Sequence, residues 1–251
     1  MLDFARILSP LSVCSYAVWR LAHRRDPIVL TTRLGARFEL RPKCNENNDY
    51  GVAYEVFVHN FYKDRPPESE NVRLVVDLGA NVGYSLLYYL HAYKNCYIIA
   101  FEPHPGHAAQ AVRNLNIDGS RERVQLYPKG AGAYERKMRL TDSGTSSTLT
   151  EVNAKDTIGV EVVDIFPILE GRRIDILKVD IEGGEYEILK DPRFSRLDVG
   201  AIVMEWHSRG GGLADKAWCE ERLKTIGYGI EDIFTSPTHG MFYARAARPL
   251  H

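Results

Sequence analysis

Two short stretches carry side chains that could do chemistry. Lys178-Val179-Asp180-Ile181-Glu182-Gly183-Gly184-Glu185 brings together a lysine, three acids and two glycines. Met204-Glu205-Trp206-His207 adds an acid and a histidine. Alternate residues of an extended chain share a face, so Lys178, Asp180 and Glu182 are expected on one side of a strand. Gly183 and Gly184 then allow a sharp turn. Glu205 and His207 alternate in the same way, and the two sets adjoin if the strands are neighbours. Such a group can take a proton from a nucleophile, with either His207 or Glu182 as the general base. Lys178 is expected to pair with one of the acids and keep the cluster ionised. Glu185 is expected to cap the helix that follows, where the dipole favours negative charge. Asp180, Glu182, Glu205 and His207 also form an oxygen-and-nitrogen set suited to a divalent ion. Their spacing matches no metal motif, and a metal is not the favoured reading.

A second site candidate lies upstream. Val76-Asp77-Leu78-Gly79-Ala80-Asn81-Val82-Gly83 follows an apolar run and opens a helical one. Gly79 suits a tight turn, Gly83 a close helix–strand approach, and the helix N-terminus offers N–H groups to an anion. Asn81 stands where a dinucleotide fingerprint has its second glycine, which weighs against NAD and FAD. Asp77 sets a carboxylate where a cationic ligand group can sit. Glu102, in Phe101-Glu102-Pro103, can take both ribose hydroxyls of an adenosine. His104 beside it reads as an exposed loop residue.

The surrounding elements read as alternating strands and helices. Strands are expected at Leu74–Leu78, Tyr97–Phe101, Val124–Tyr127, Ile174–Val179 and Ala201–Glu205. Helices are expected at Ser85–Tyr93, His107–Asn116, Glu185–Lys190 and Lys216–Ile226. The apolar runs mark strands buried on both faces, and repeated βα units imply an α/β fold with a mostly parallel sheet. Tyr228–Phe234 and Met241–Ala244 close it as antiparallel neighbours. Lys137–Leu140 and the polar stretch to Asp156 suggest a hairpin-rich excursion. The linker Arg65–Asn71 separates residues 1–70, a cap of helix, short hairpin (Ile28–Leu40) and helical stretch (Tyr54–Tyr62), from a domain at 71–251. Tyr50, Tyr54, Phe57, Tyr62 and Trp206 could floor an acceptor pocket, but core packing is the expected role.

The 251 residues are 45% apolar and 26% charged, with 32 basic and 33 acidic side chains, a formal net charge of -1. A balanced surface argues against non-specific binding to nucleic acid or anionic membrane, which needs a basic field, but it leaves room for a local basic patch. Cys14, Cys44, Cys96 and Cys219 are far apart and form no CxxC pair, which argues against a zinc site or disulfide framework and fits a reducing, cytoplasmic location. No run reaches transmembrane length. Leu11–Trp19 is apolar and followed by Arg20, His23, Arg24 and Arg25, the reverse of a signal peptide. It is expected to pack on its own domain rather than lie on a membrane.

VVDLGANVGYS, AFEPHP and DILKVDIEGGEYEIL, in that order, resemble the motifs of the FkbM family of S-adenosylmethionine-dependent methyltransferases. The likeness runs from about Val72 to Ile233, and upstream NDYGVAYEVFVHNFY resembles the segment preceding the family's core. The resemblance implies a Rossmann-like, seven-stranded sheet with the last strand antiparallel. It implies methyl transfer to oxygen, usually on a sugar, glycan or natural-product acceptor. It implies cofactor contacts at Asp77, Gly79, Ala80, Asn81, Gly83, Glu102, Pro103 and Asp180, and at Gly130 and Ala131 in a turn beside the adenine. Asp180 is expected to face the sulfonium or the acceptor. Ser143–Thr148 resembles a serine-rich patch that could close as a lid, and Arg209–Gly212 reads as a flexible acceptor entrance. N-methylation of a small molecule or RNA, and a non-catalytic cofactor-binding scaffold, are the alternatives. An Asn-Pro-Pro-Tyr motif, typical of amino-group transfer, is absent.

Overall fold

The computed structural model describes residues 2–22, 25–42, 48–59, 71–141, 149–150 and 157–247. Most of the expected linker, with Tyr62, Cys44 and the serine-rich stretch 143–148, lies outside them. The N-terminal part comprises α1 (Leu2–Ile7), α2 (Pro10–Leu21), β1 (Ile28–Thr31), β2 (Arg37–Leu40) and α3 (Asp49–Tyr54), the last running into a π-helical turn at Glu55–His59. Then come β3 (Leu74–Leu78), α4 (Tyr84–Ala92), β4 (Tyr97–Phe101), α5 (Pro105–Asp118) and β5 (Val124–Tyr127). An excursion follows: β6 (Gly130–Gly132), β7 (Arg136–Thr141), β8 (Leu149–Thr150), β9 (Thr157–Asp164) and α6 (Phe166–Leu169). The chain ends with β10 (Arg173–Val179), α7 (Glu185–Lys190), β11 (Asp198–His207), α8 (Leu213–Thr225), β12 (Tyr228–Thr235) and β13 (His239–Ala246).

The main sheet has seven strands in the order β12-β13-β11-β10-β3-β4-β5. Pairing from β11 to β5 is parallel, and β13 is antiparallel to both its neighbours. This is the expected Rossmann-like arrangement. The central strands are mostly apolar because both faces are covered, with Asp77 and Lys178 as buried charged exceptions, whereas the edge strand β12 carries Glu231 and Asp232. Val75, Ile98, Ile176, Ala201 and Tyr243 pack with α4 and the N-terminal elements, whereas Val76, Ile99, Leu177, Ile202 and Phe242 pack with α6, α7 and α8. The N-terminal elements share the first core: Phe4, Leu8, Tyr16, Phe38 and Phe57 belong to it. Tyr84 Oη donates to the Glu39 carbonyl at 2.8 Å, and Asn114 ties the hairpin to the glycine loop through the Glu39 N–H and the Val82 carbonyl. The aromatic residues Tyr50, Tyr54, Phe57 and Trp206 are core-packed, as expected.

Three local expectations are corrected. Gly130 and Ala131 lie in a strand, not a turn: β6 pairs with β9 in a second, four-stranded sheet ordered β6-β9-β7-β8. His104 is buried, not exposed, because its Nδ1 caps α5 by accepting the N–H groups of Gly106 and His107. Arg209–Gly212 is a fastened turn, with the Asp215 carboxylate accepting the N–H groups of Arg209 and Gly211.

The two chemistry-bearing loops interlock. Gly79 has φ +90°, and a Cβ there would sit 1.8 Å from the Asp180 carbonyl oxygen. Gly79→Ala therefore incurs both strain and backbone collision, and a loss of about 2–5 kcal/mol is expected in urea unfolding.

Candidate active site

A cleft of about 1650 Å³ opens beyond the carboxyl ends of β3, β4, β10 and β11. Its walls come from the glycine loop, the Glu102 turn, the Asp180–Gly184 turn and the end of β11, with residues of the N-terminal cap and the β12–β13 turn on the rim. This is where an open parallel sheet places its ligand.

Lys178 forms the floor. Parallel register sets it directly beside Asp77 on the neighbouring strand. Its Nζ lies 3.1 Å from Asp77 and 3.3 Å from Asp180, and donates to the Gly79 carbonyl at 2.8 Å. Asp77 also accepts from Ser85 Oγ at 2.6 Å. Burial opposes the ammonium, but the two carboxylates outweigh it and hold its proton above the ordinary lysine range. Lys178 thus does pair with Asp180, as expected, but Asp77 is its fully buried partner. Asp77 lies behind the cleft wall and acts on the cleft through Lys178.

Strand β10 stops at Val179, so Asp180 and Glu182 are not strand residues sharing the face of Lys178. The Asp180 N–H still bonds the Leu78 carbonyl, and then the chain turns. Glu182 adopts φ +52°, a conformation a non-glycine side chain holds only under constraint, and such strain gathers at functional sites. The turn carries Glu182 to His207: its carboxylate is 3.5 Å from Nε2, and that of Glu205 is 3.6 Å away. On the other side of the ring, Nδ1 donates to Glu185 Oε1 at 2.9 Å. Glu185 is fully buried and also accepts the Ile181 N–H, so it braces the histidine rather than simply capping α7. Burial works against the imidazolium, but the Glu185 hydrogen bond and the charges of Glu185, Asp180 and Glu182 push its pKa up to about 10. Glu205 is shifted upward, first by burial and then by Asp180, against the opposing pull of His207. Glu55, on the π-helical turn, joins the same field: desolvation, then Asp180 and Glu182, raise its carboxyl. Asp180, Glu205 and His207 offer ligand atoms within 4.8 Å of one another, the set among the described residues that could hold a metal ion.

At the other end, Glu102 accepts the N–H groups of Asn81 and His104, each at 2.8 Å. Burial raises its pKa to about 7, against those two bonds. Asn81 takes φ +49°, a left-handed conformation that asparagine tolerates, so it turns the loop without the glycine of a dinucleotide fingerprint.

The sequence matches the Methyltransferase FkbM domain over residues 77–221, more than half of the chain. The chain belongs to the FkbM methyltransferase family. It is 26% identical to "Methyltransferase 1" of Beauveria bassiana over 208 residues, covering 70% of this chain and 79% of that one. It is 28% identical to "Methyltransferase sdnD" of Sordaria araneosa over 174 residues, covering 54% and 67%. Among solved structures, the Pyrococcus horikoshii protein PH0793 superposes with a TM-score of 0.50 at 15% identity, over 92% of this chain and 81% of that one, a likeness of fold.

An FkbM methyltransferase is S-adenosylmethionine-dependent, and the residues present suit that cofactor. Glu102 opens to the cleft with lone pairs left for a ribose diol. The carboxylates at the ends of β10 and β11 suit a sulfonium cation. Gly79, Ala80, Asn81, Glu102, Pro103, Gly130, Ala131 and Asp180 all line the cleft. Gly83 lies behind it: with φ +85° it opens α4, and a Cβ there would meet Ala111 at 3.0 Å. Lys178, Glu182 and His207 line the cleft as well. Sequence reasoning missed the bracing role of Glu185 and any role for Glu55, which lies inside the upstream stretch that resembles the segment before the family's core.

Glu102→Ala removes a charged acceptor, so affinity for S-adenosylhomocysteine is expected to fall about 10- to 100-fold by calorimetry. Hydroxyl donors bond the ionised carboxylate more strongly than the neutral acid. Wild-type affinity is therefore expected to be weaker at pH 6 than at pH 8, on either side of the Glu102 pKa of about 7.

Proposed function

We propose that this chain transfers a methyl group to a hydroxyl of a sugar, glycan or natural-product acceptor. The observation that carries the reading is His207, anchored through Nδ1 by buried Glu185 and offering Nε2 to the cleft. S-adenosylmethionine supplies an electrophilic methyl group on a sulfonium, whose departure needs no acid. An alcohol is a weak nucleophile until its proton is withdrawn, so the site needs alignment and a base. Glu102 takes the ribose, the acids beyond β10 favour a cation, and Nε2 of His207 receives the acceptor's proton. In the free protein the imidazole holds its own proton to about pH 10. A positive charge entering among the carboxylates weakens that hold and readies the ring. Asn48, Glu55, His59, Thr238 and His239 give the cleft polar walls from the cap and the β12–β13 turn, suited to a polyhydroxylated acceptor.

One observation favours a second reading. The carboxylates of Glu55, Asp180, Glu182 and Glu205 would also attract an ammonium, and hence an amine acceptor. A panel of glycosides and amines, with methylated products read by mass spectrometry, separates the two. Methyl ethers are expected. Methylated amines alone would establish the second reading, and cofactor binding without turnover on any acceptor would leave a scaffold. The acids already have cationic partners in Lys178 and His207, so activity is expected to survive exhaustive chelation. A loss restored by a divalent ion would make Asp180, Glu205 and His207 its ligands instead.

A further inference from the structure

Helix α2 turns an almost uncharged face to solvent. Its exposed residues, with the C-cap Ala22, are Pro10, Leu11, Cys14, Ser15, Ala17, Val18, Arg20, Leu21 and Ala22. Leu11 is 83% exposed, Val18 58% and Leu21 80%. Their spacing places Leu11, Cys14, Val18 and Leu21 along one stripe. The opposite face is already docked: Ser12 and Tyr16 are buried, and Tyr16 packs against Phe4 and Trp19. The stripe is therefore not the helix's core contact. Among the described residues, eight large apolar side chains are exposed, and five of them lie between Leu11 and Leu34. The other two of these five, Val29 and Leu34, belong to the hairpin segment that packs beside α2. Such a concentration on a soluble surface marks an interaction site.

Charge identifies the partner. Residues 1–42 hold seven arginines and three acids, and Arg41 is neutralised by Asp49, which leaves a net charge of +3 in a chain whose formal net charge is -1. Arg20 and Arg25 flank the stripe at its C-terminal end, and both are exposed. An apolar helical face bordered by arginines fits the plane between lipid headgroups and acyl chains, with the guanidinium groups among phosphates. A second copy of the chain fits less well, because pairing this patch with itself would oppose two positive surfaces.

We propose that α2 and its neighbouring hairpin dock this enzyme on an anionic lipid surface. The helix lies in the interface plane, with Leu11, Val18 and Leu21 submerged and Arg20 and Arg25 at headgroup level. No described helix is long and apolar enough to cross a membrane.

The test is cosedimentation of the full chain with phosphatidylcholine vesicles, with and without phosphatidylserine. Binding is expected only with phosphatidylserine, and is expected to weaken with salt. Arg20→Gln and Arg25→Gln should each reduce partitioning about fivefold. Leu11→Glu and Leu21→Glu should each reduce it at least about tenfold. Both leucines are already exposed, so thermal midpoint and S-adenosylhomocysteine affinity should stay at wild-type values. Failure to bind either vesicle would overturn the proposal, as would equal binding to both that ignores these substitutions. Concentration-dependent dimers in light scattering, lost in Leu21→Glu, would overturn it too and assign the face to a second copy.

Discussion

Lys178→Met is expected to destabilise the protein by about 3–5 kcal/mol, a fall of roughly 6–20 °C in Tm. The ammonium is 2% exposed, and its partner Asp77 is fully buried. Removing the lysine strands a carboxylate in the sheet interior and leaves the Gly79 carbonyl without its donor. Methionine fills most of the volume, so the loss isolates the charge. Asp180 faces the cleft and can be hydrated, so Asp77 dominates the cost. Pairing Lys178→Met with Asp77→Asn should recover a large part of the stability, since the stranded charge is then gone. Ser85 can still donate to the remaining side-chain oxygen. Urea unfolding of both variants decides the matter. A double variant as unstable as the single one would mean that Lys178 acts through packing rather than charge. Because Asp77 and Asp180 hold the Lys178 pKa above its unfolded value, the stabilisation is complete at neutral pH and is lost only as pH rises through the folded value.

The elements of the fold were legible where information is local. Leu74–Leu78, Tyr97–Phe101 and Val124–Tyr127 are strands at the residues expected, because sheets covered on both faces write themselves as short apolar runs. β9 escaped notice because its burial is mixed and it carries Thr157, Glu161 and Asp164. β6 is three residues of glycine and alanine, which read as a turn. The site was legible as a set of residue types but not as a set of contacts. That Lys178 meets Asp77 depends on strand order and register, which no local pattern carries. Period-two reasoning carried the strand past Val179, whereas the left-handed φ at Glu182 bends the turn back toward β11. The same bend lets Glu185 point inward to His207 instead of capping α7.

Replacing His207 with alanine is expected to lower kcat about 10²- to 10⁴-fold, the usual worth of a positioned base. Affinity for S-adenosylhomocysteine should change far less, since Glu102 and the glycine loop lie elsewhere on the cleft wall. The pH profile carries the stronger test. With the imidazole pKa near 10, the free wild-type enzyme holds a proton on its base at neutral pH, so kcat/KM should rise with pH toward that value. His207→Ala should erase this limb. Glu185→Gln keeps an oxygen to accept from Nδ1 but removes the charge that raises the pKa most strongly, so the limb should move to lower pH. A purely structural role for Glu185 would lower the rate without moving the limb. Stability must follow the same proton. The folded pKa of about 10 lies above the ordinary 6.5, so His207 stabilises fully below about pH 6.5 and less as pH rises toward 10. Wild type should therefore lose more stability across that window than His207→Ala, in which the raised carboxyls of Glu102 and Glu205 still titrate. A limb that persists in His207→Ala would transfer the proton to Glu182 or Glu205, the other carboxylates within 4 Å of Nε2.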